Sequence, residues 1–311
     1  MEFDSRKFIQ EKIAEIKNTV GDKKAVVALS GGVDSTTCAV LAYRALKKNL
    51  TAVFLDDGLM RERDEKEVLT IGEKIGMVVK VVRVAEVFFG ALKGKVDPEE
   101  KRRAFRECFY KVLAEVVKKE KSSFLIQGTI AADIKETKEG VKTQHNVLEQ
   151  IGIEPKRYGF SLIEPLKDLY KPEVRKVAEA LGLPSSVYRR MPFPGPGLAT
   201  RIVGEVTPKR VETVRKATTI VEEEFGELRP FQCFAVLLKD KATGMKRGRR
   251  VFGEIIALRS VESQDALTAE VTKVPWEILE KVQRRITREV PSVVKVVLDI
   301  TPKPPSTIEY I

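Results

Sequence analysis

The string Ser30-Gly31-Gly32-Val33-Asp34-Ser35 stands between a short apolar run, Ala25–Leu29, and a helical pattern from about Val33 to Leu46. Glycines in such a turn let the backbone bend tightly and come close to a ligand. The free N–H groups that open the helix then face an anion, with the helix dipole behind them. The hydroxyls of Ser30 and Ser35 add hydrogen-bonding capacity, and phosphate is the anion this cradle suits. A carboxylate is out of place in an anion site unless it holds a cation, so Asp34 points to Mg²⁺ bridging it and phosphate oxygens. The loop is not a Walker A sequence, because GxxxxGK followed by Ser or Thr is absent, and the later glycines of a dinucleotide fingerprint are missing.

The surrounding pattern supplies the frame. Thr51–Leu55 is a second apolar run, closed by the turn residues Asp56-Asp57-Gly58. Residues 61–75 read as a helix, Val78–Val84 as a β-branched strand, 98–119 as a long helix and Phe124–Ile126 as a short strand. Strands alternating with helices predict βαβ units and a parallel sheet, with ligands at the carboxyl ends of the strands. The glycine loop falls at such an end. A helix near Pro172–Leu181 stops at Gly182-Leu183-Pro184, and Met191-Pro192-Phe193-Pro194-Gly195-Pro196-Gly197 cannot be regular structure. These breaks predict two domains, 1–187 and 188–311. In the second, helices at 209–225 and 275–289 and strands at Phe234–Leu238, Val251–Leu258 and Val293–Ile300 predict an α+β fold.

Composition narrows the function classes. The chain has 311 residues, 43% of them hydrophobic, so each half can bury a core and the disordered and fibrous classes are excluded. No apolar run approaches the roughly 20 residues of a membrane helix, and nothing at the N-terminus reads as a signal peptide, so the cytoplasm is expected. The 3 cysteines, Cys38, Cys108 and Cys233, form no CxxC pair, and His145 is the only histidine. That excludes zinc ribbons, dithiol redox sites and multi-histidine metal centres. A net charge of +11 fits either a solvated surface or an anionic partner. The clusters Lys101-Arg102-Arg103 and Lys246-Arg247-Gly248-Arg249-Arg250 lack interleaved aromatics, so nucleic acid is not the expected partner and a solvated surface or a funnel for phosphate is.

The six-residue loop in the first strand-to-helix turn resembles the signature of the N-type ATP pyrophosphatases, which cleave ATP between the α- and β-phosphates. The family includes GMP synthetases, NAD synthetases, argininosuccinate synthetases and tRNA-thiolating enzymes. Further segments resemble the GMP synthetase branch: Phe54–Arg61, Gln127-Gly128-Thr129-Ile130 with Asp133 and Glu136, Lys142–Val147, Leu162–Asp168, Met191–Ala199 and Asp299–Glu309. The resemblance covers nearly the whole chain. It implies an α/β parallel-sheet, adenine-nucleotide alpha-hydrolase-like ATP-pyrophosphatase domain plus a smaller α+β C-terminal dimerisation domain, and hence a homodimer. It implies ATP as co-substrate, bound by Ser30, Gly31, Gly32, Val33, Asp34, Ser35, Thr36, Leu55, Gly128 and Thr129, with Mg²⁺ on Asp34 and Asp133.

The implied reaction converts xanthosine monophosphate (XMP), ATP and ammonia to GMP, AMP and pyrophosphate. Lys142–Val147 resembles a mobile lid that keeps water from a hydrolysable adenylyl intermediate, with Asp34, Lys142 and His145 as the catalytic set. The family usually has two adjacent histidines there, and this chain has Gln144-His145. Arg201, Lys303, Thr307, Ile308 and Glu309 are the implied XMP residues, Arg201 and Lys303 at the phosphate and Glu309 at the base or ribose. Two positions depart from the family: Phe252 stands where a glutamine is usual and Glu107 where an arginine is. Making ammonia from glutamine needs a nucleophilic Cys with a His base. With one histidine in the lid segment and Cys38 in a helix, that chemistry is expected in a separate glutamine amidotransferase subunit. Two other readings stay open: an NAD synthetase-like ligase, and a basic RNA-binding protein with a relic nucleotide loop.

Overall fold

The structure, a computed structural model, describes residues 3–131, 160–264 and 266–311. The chain divides into two compact units. The first comprises residues up to Asp56, Arg63–Val84 and Glu107–Arg190; the second comprises Asp57–Glu62, Ala85–Arg106 and Met191–Ile311.

The first unit is built on a five-stranded, all-parallel sheet in the order β3-β2-β1-β4-β5. Its strands are β1 (Ala25–Ala28), β2 (Leu50–Asp56), β3 (Val79–Arg83), β4 (Phe124–Ile126) and β5 (Ser161–Ile163). Ala25, Val26, Val27, Leu125 and Ile126 are buried, as expected of central parallel strands covered on both faces. The helices are α1 (Ser5–Val20), α2 (Val33–Leu46), α3 (Asp64–Ile75), the C-terminal part of α5 (Pro98–Lys119) and α6 (Lys171–Ala180), followed by the single-turn α7 (Ser185–Tyr188). Local chemistry sets their ends. Asp4 accepts hydrogen bonds from the amides of Arg6 and Lys7 to start α1, and Gly76, in the left-handed region at φ 71°, stops α3.

The second unit carries α4 (Ala85–Leu92), the N-terminal part of α5, α8 (Pro208–Phe225) and α9 (Trp276–Glu289) with a four-stranded sheet. Strands β6 (Gln232–Lys246) and β7 (Arg249–Glu262) form a long antiparallel hairpin, and β7 also pairs with β8 (Glu270–Val271) and, in parallel, with β9 (Val293–Leu298). Arg247 at φ 50° and Gly248 at φ 73° make the two-residue turn, whose twist matches that of the strands. The basic cluster at 246–250 is therefore a hairpin tip.

The two short excursions from the N-terminal half are tied into this unit by specific bonds. Arg215 of α8 donates to the carbonyls of Gly58 and Met60, and Leu198 N–H donates to the Leu59 carbonyl at 2.8 Å. A Cβ on Gly197 would stand 2.5 Å from that same oxygen, so only glycine allows the approach. In the 85–106 stretch, Phe88 packs at a tilt against Phe105, ring centroids 5.0 Å apart, and the Lys101 ammonium donates to the Ile202 carbonyl at 2.6 Å. Lys101 is 1% exposed, which corrects the expectation that its cluster is a solvated face. Burial and the nearby Arg210 lower its pKa from 10.5 to about 8.

Candidate active site

The first unit gathers most of the sequence-predicted nucleotide residues at the carboxyl ends of its strands. Leu29 N–H donates to the Val53 carbonyl, so β1 runs on one residue beside β2 and the chain turns at Ser30. Gly31 adopts φ +80° and Gly32 is the N-cap of α2, with no side chain capping it. The amides at the start of a helix have no intrahelical acceptors, so this end is free to receive an anion. The Ser35 hydroxyl fixes the turn from inside: it accepts from Ser30 N–H at 3.2 Å, donates to the Gly32 carbonyl at 3.2 Å and lies 3.0 Å from Ser30 Oγ. Val33 and Thr36 are buried behind the loop, as is Leu55 at the end of β2.

Gly128 follows β4 and packs directly on this turn. A Cβ there would lie 2.9 Å from the Asp34 carbonyl carbon and oxygen and 3.0 Å from Ser35 N. Thr129 Oγ1 donates to Glu164 Oε1 just past β5. Asp34, in the first turn of α2, presents two different oxygens. Oδ2 accepts from the Lys171 ammonium, while Oδ1 is buried with no hydrogen-bond partner among the described residues. A buried carboxylate oxygen left unpaired is costly. A hard, oxygen-seeking cation would satisfy it, so this carboxylate fits Mg²⁺, which is typically held by one or two protein carboxylates together with substrate phosphates. Asp133, Lys142 and His145 lie outside the described residues.

Sequence reading did not single out Lys171 or Arg190. Lys171 opens α6, and a cation at a helix N-terminus opposes the dipole, a misfit visible in the sequence that its bond to Asp34 explains. Arg190 follows α7 and reaches back to donate to the Gly31 carbonyl at 2.8 Å, while pairing with Asp64 and with Glu67 of α3. A contact spanning that much sequence leaves no local signal.

In the second unit, Arg201 and Glu309 meet. The Arg201 side chain is fully buried, stacked on Phe193 and Phe234 with its guanidinium carbon 4.9 and 4.2 Å from the ring centroids. It donates to Glu309 through Nε at 3.4 Å and Nη2 at 3.3 Å, and its Nη1 has no partner among the described residues. Gln232 Nε2 donates to the same carboxylate at 2.5 Å. Arg61 lies against the Phe193 ring as well, at 4.3 Å. The C-terminal segment is held in place: the buried Arg259 pairs with Asp299 at 3.1 Å and donates to the carbonyls of Thr301, Thr307 and Ile308. Lys303 Nζ donates to the Ala266 carbonyl at 2.7 Å, and its backbone exchanges bonds with Ala269.

The three cysteines are buried. Burial, with Asp34 and Glu164 nearby, pushes the Cys38 thiol far up, and burial pushes Cys233 up to about 12, so neither is a nucleophile near neutral pH.

A five-stranded parallel α/β sheet with a glycine turn at the head of α2 frames a nucleotide-using enzyme of the pyrophosphatase kind. Residues 4–196 match the NAD synthase family model, and residues 222–310 match the model of the GMP synthase C terminal domain. The chain is 50% identical to a GMP synthase (glutamine-hydrolyzing) subunit of Methanopyrus kandleri, over 99% of both chains. It is 51% identical to the like-named protein from Archaeoglobus fulgidus, again over 99% of each, and 51% identical to that from Pyrococcus furiosus over 98% of this chain and 97% of the relative. The chain belongs to this family of GMP synthase (glutamine-hydrolyzing) subunits.

Proposed function

We propose that this protein makes GMP from XMP, ATP and ammonia, releasing AMP and pyrophosphate. The observation that carries this reading is the Ser30–Ser35 turn, with open amides at the head of α2 and an unpaired Oδ1 on Asp34 in that helix's first turn. The C2 oxygen of xanthine is a poor leaving group. Its attack on the α-phosphorus of ATP expels pyrophosphate and gives adenylyl-XMP; ammonia then adds at C2 and AMP departs. Such chemistry is mostly positioning and charge neutralisation.

The amides from Gly31 to Ser35, with the Ser30 and Ser35 hydroxyls, hold the β- and γ-phosphates. Thr36, Leu55, Gly128 and Thr129 shape the rest of the nucleotide pocket. Asp34, with Asp133, would hold Mg²⁺, which supplies charge neutralisation on the phosphates. The Lys171 ammonium adds a second positive charge next to Asp34. Lys142 and His145 complete the catalytic set, a role that rests on the resemblance of their segment to the family's lid. On the XMP side, Glu309 accepts from the base or ribose, oriented by Arg201 and Gln232. The closed position of Arg201 favours this action through Glu309 over direct contact with phosphate. Lys303 takes the phosphate, and Thr307 and Ile308 line the site on backbone fixed by Arg259.

Ammonia comes from a separate glutamine amidotransferase subunit. That reading is supported by the names of the relatives, each designated as one subunit of a glutamine-hydrolyzing enzyme. The match of residues 222–310 to the GMP synthase C terminal domain weighs against an NAD synthetase or an RNA-binding protein. We place the enzyme in the cytoplasm; among the described residues no helix is long and apolar enough to cross a membrane. A homodimer through residues 188–311 is in keeping with the exposed Phe252 on β7 and Val297 on β9.

The test is AMP formation by the purified chain with XMP, ATP and ammonium. Ammonium should support turnover, and glutamine alone should not. Turnover of glutamine as fast as ammonium would remove the separate amidotransferase, and AMP release independent of XMP would remove the substrate.

A further inference from the structure

We infer that Arg190 is a positioning residue for the pyrophosphate loop, a role that rests on the reading of Ser30–Ser35 as the ATP site. The Gly31 carbonyl and the Gly32 N–H belong to one trans peptide unit, so they point in opposite directions. Arg190 Nη1 holds that carbonyl at 2.8 Å. Fixing the oxygen fixes the plane, and the Gly32 amide is turned away from Arg190. Gly32 is the N-cap of α2, and no side chain occupies its capping position. The amide that Arg190 aims is therefore one of those left to an anion.

The guanidinium is itself immobilised. Its Nη2 donates to Asp64, which is 1% exposed, and lies 3.3 Å from Glu67 Oε2, both on α3. The planar fork thus ties the loop to a helix with two parallel arms, a geometry that lysine, a single point charge, does not reproduce. The fit on the loop side is close. A Cβ on Gly31 would stand 2.5 Å from Arg190 Nη1, and φ +80° at Gly31 already disfavours any other residue. Glycine at 31 and arginine at 190 are two halves of one device: the glycine permits the bend, and the arginine holds its carbonyl.

The test compares wild type with Arg190→Lys and with the double variant Arg190→Gln/Asp64→Asn. The double variant removes both charges of the buried pair, so no buried carboxylate is stranded; Glu67, the other partner, is solvent-exposed. Mg²⁺-pyrophosphate binding is measured by titration calorimetry, and KM is measured separately for ATP and for XMP, with the thermal midpoint as a check on folding. Both variants should bind pyrophosphate at least tenfold more weakly and show a matching rise in KM for ATP. KM for XMP should stay within twofold, a split that general loosening of the fold would not give. Pyrophosphate affinity within twofold of wild type in Arg190→Lys would overturn the inference, and so would an equal rise in both KM values. Failure of wild type itself to bind pyrophosphate would instead overturn the underlying reading, and the inference with it.

Discussion

Replacing Gly128 by alanine tests whether the end of β4 and the first turn of α2 form one nucleotide surface. The added Cβ would sit 2.9 Å from the carbonyl carbon and oxygen of Asp34 and 3.0 Å from Ser35 N. Ordinary contact begins at 3.4 Å, and all three neighbours are backbone, so no side-chain rotation relieves the clash. The turn holding Asp34 and Ser35 must move by several tenths of an ångström or more. Overpacking of this size costs about 1–3 kcal/mol of stability, which a domain of this size tolerates. The catalytic cost is larger, because a displacement of about 1 Å at a reacting centre costs about a hundredfold. Gly128→Ala should therefore lower kcat/KM for ATP by roughly 10- to 100-fold, with KM for XMP little changed and the protein folded at the assay temperature. The assay is pyrophosphate release at saturating XMP and ammonium, beside a calorimetric melt. A variant with kcat/KM for ATP within twofold of wild type would refute the idea that this turn holds the reacting phosphates.

Four further outcomes follow from the same geometry. Asp34→Asn should leave the fold intact and reduce pyrophosphate release on the order of 10²-fold, since the carboxylate suited to the cation is gone; near-normal turnover would remove Asp34 from the mechanism. Lys303→Ala should raise KM for XMP by roughly 10- to 100-fold, the value of a hydrogen bond to a charged group, and spare KM for ATP; equal effects on both would contradict the division of sites. Lys101 titrates near 8 in the fold instead of at 10.5, so above pH 8 the native state sheds a proton that the unfolded state keeps. Stability from this group should rise between pH 8 and 10.5, and the thermal midpoint of wild type should gain on that of Lys101→Met across that window; parallel curves would show that the shift is absent. Thiol alkylation at pH 8 should leave Cys38 and Cys233 of the folded protein unmodified, as mass spectrometry would record, because both thiols are buried and held protonated.

The sequence revealed the loop better than what surrounds it. α2, α5 and β4 lie where periodicity and the glycine turn put them, because a parallel-sheet strand reads as a continuous apolar run and its helix follows at once. Strands β6 and β7 extend well beyond the apolar stretches that announced them. Residues such as Lys241, Thr243 and Lys246 are strand through pairing, and hydrophobic patterning carries no trace of that. The helix α4 and the three-residue β5 had no periodicity long enough to read.

Within the candidate site, Asp34, Gly128 and Arg201 were visible as motif residues, and Glu309 was visible through the proline-rich end. Their partners were not. Arg190 on Gly31, Lys171 on Asp34 and Gln232 on Glu309 are contacts between distant stretches of chain, which only the fold brings together. The burial of Lys101 was hidden for the opposite reason: its neighbours Arg102 and Arg103 made the segment look like a charged surface, although helix geometry turns one residue of such a run inward.

The central claim is that the amides opening α2 hold the outer phosphates of ATP. A crystal soaked with Mg²⁺ and a non-hydrolysable ATP analogue tests it most directly. The β- and γ-phosphate oxygens should lie within hydrogen-bond distance of the backbone nitrogens between Gly31 and Ser35, with the cation on Asp34 Oδ1. Phosphates bound anywhere else on the protein would contradict the account.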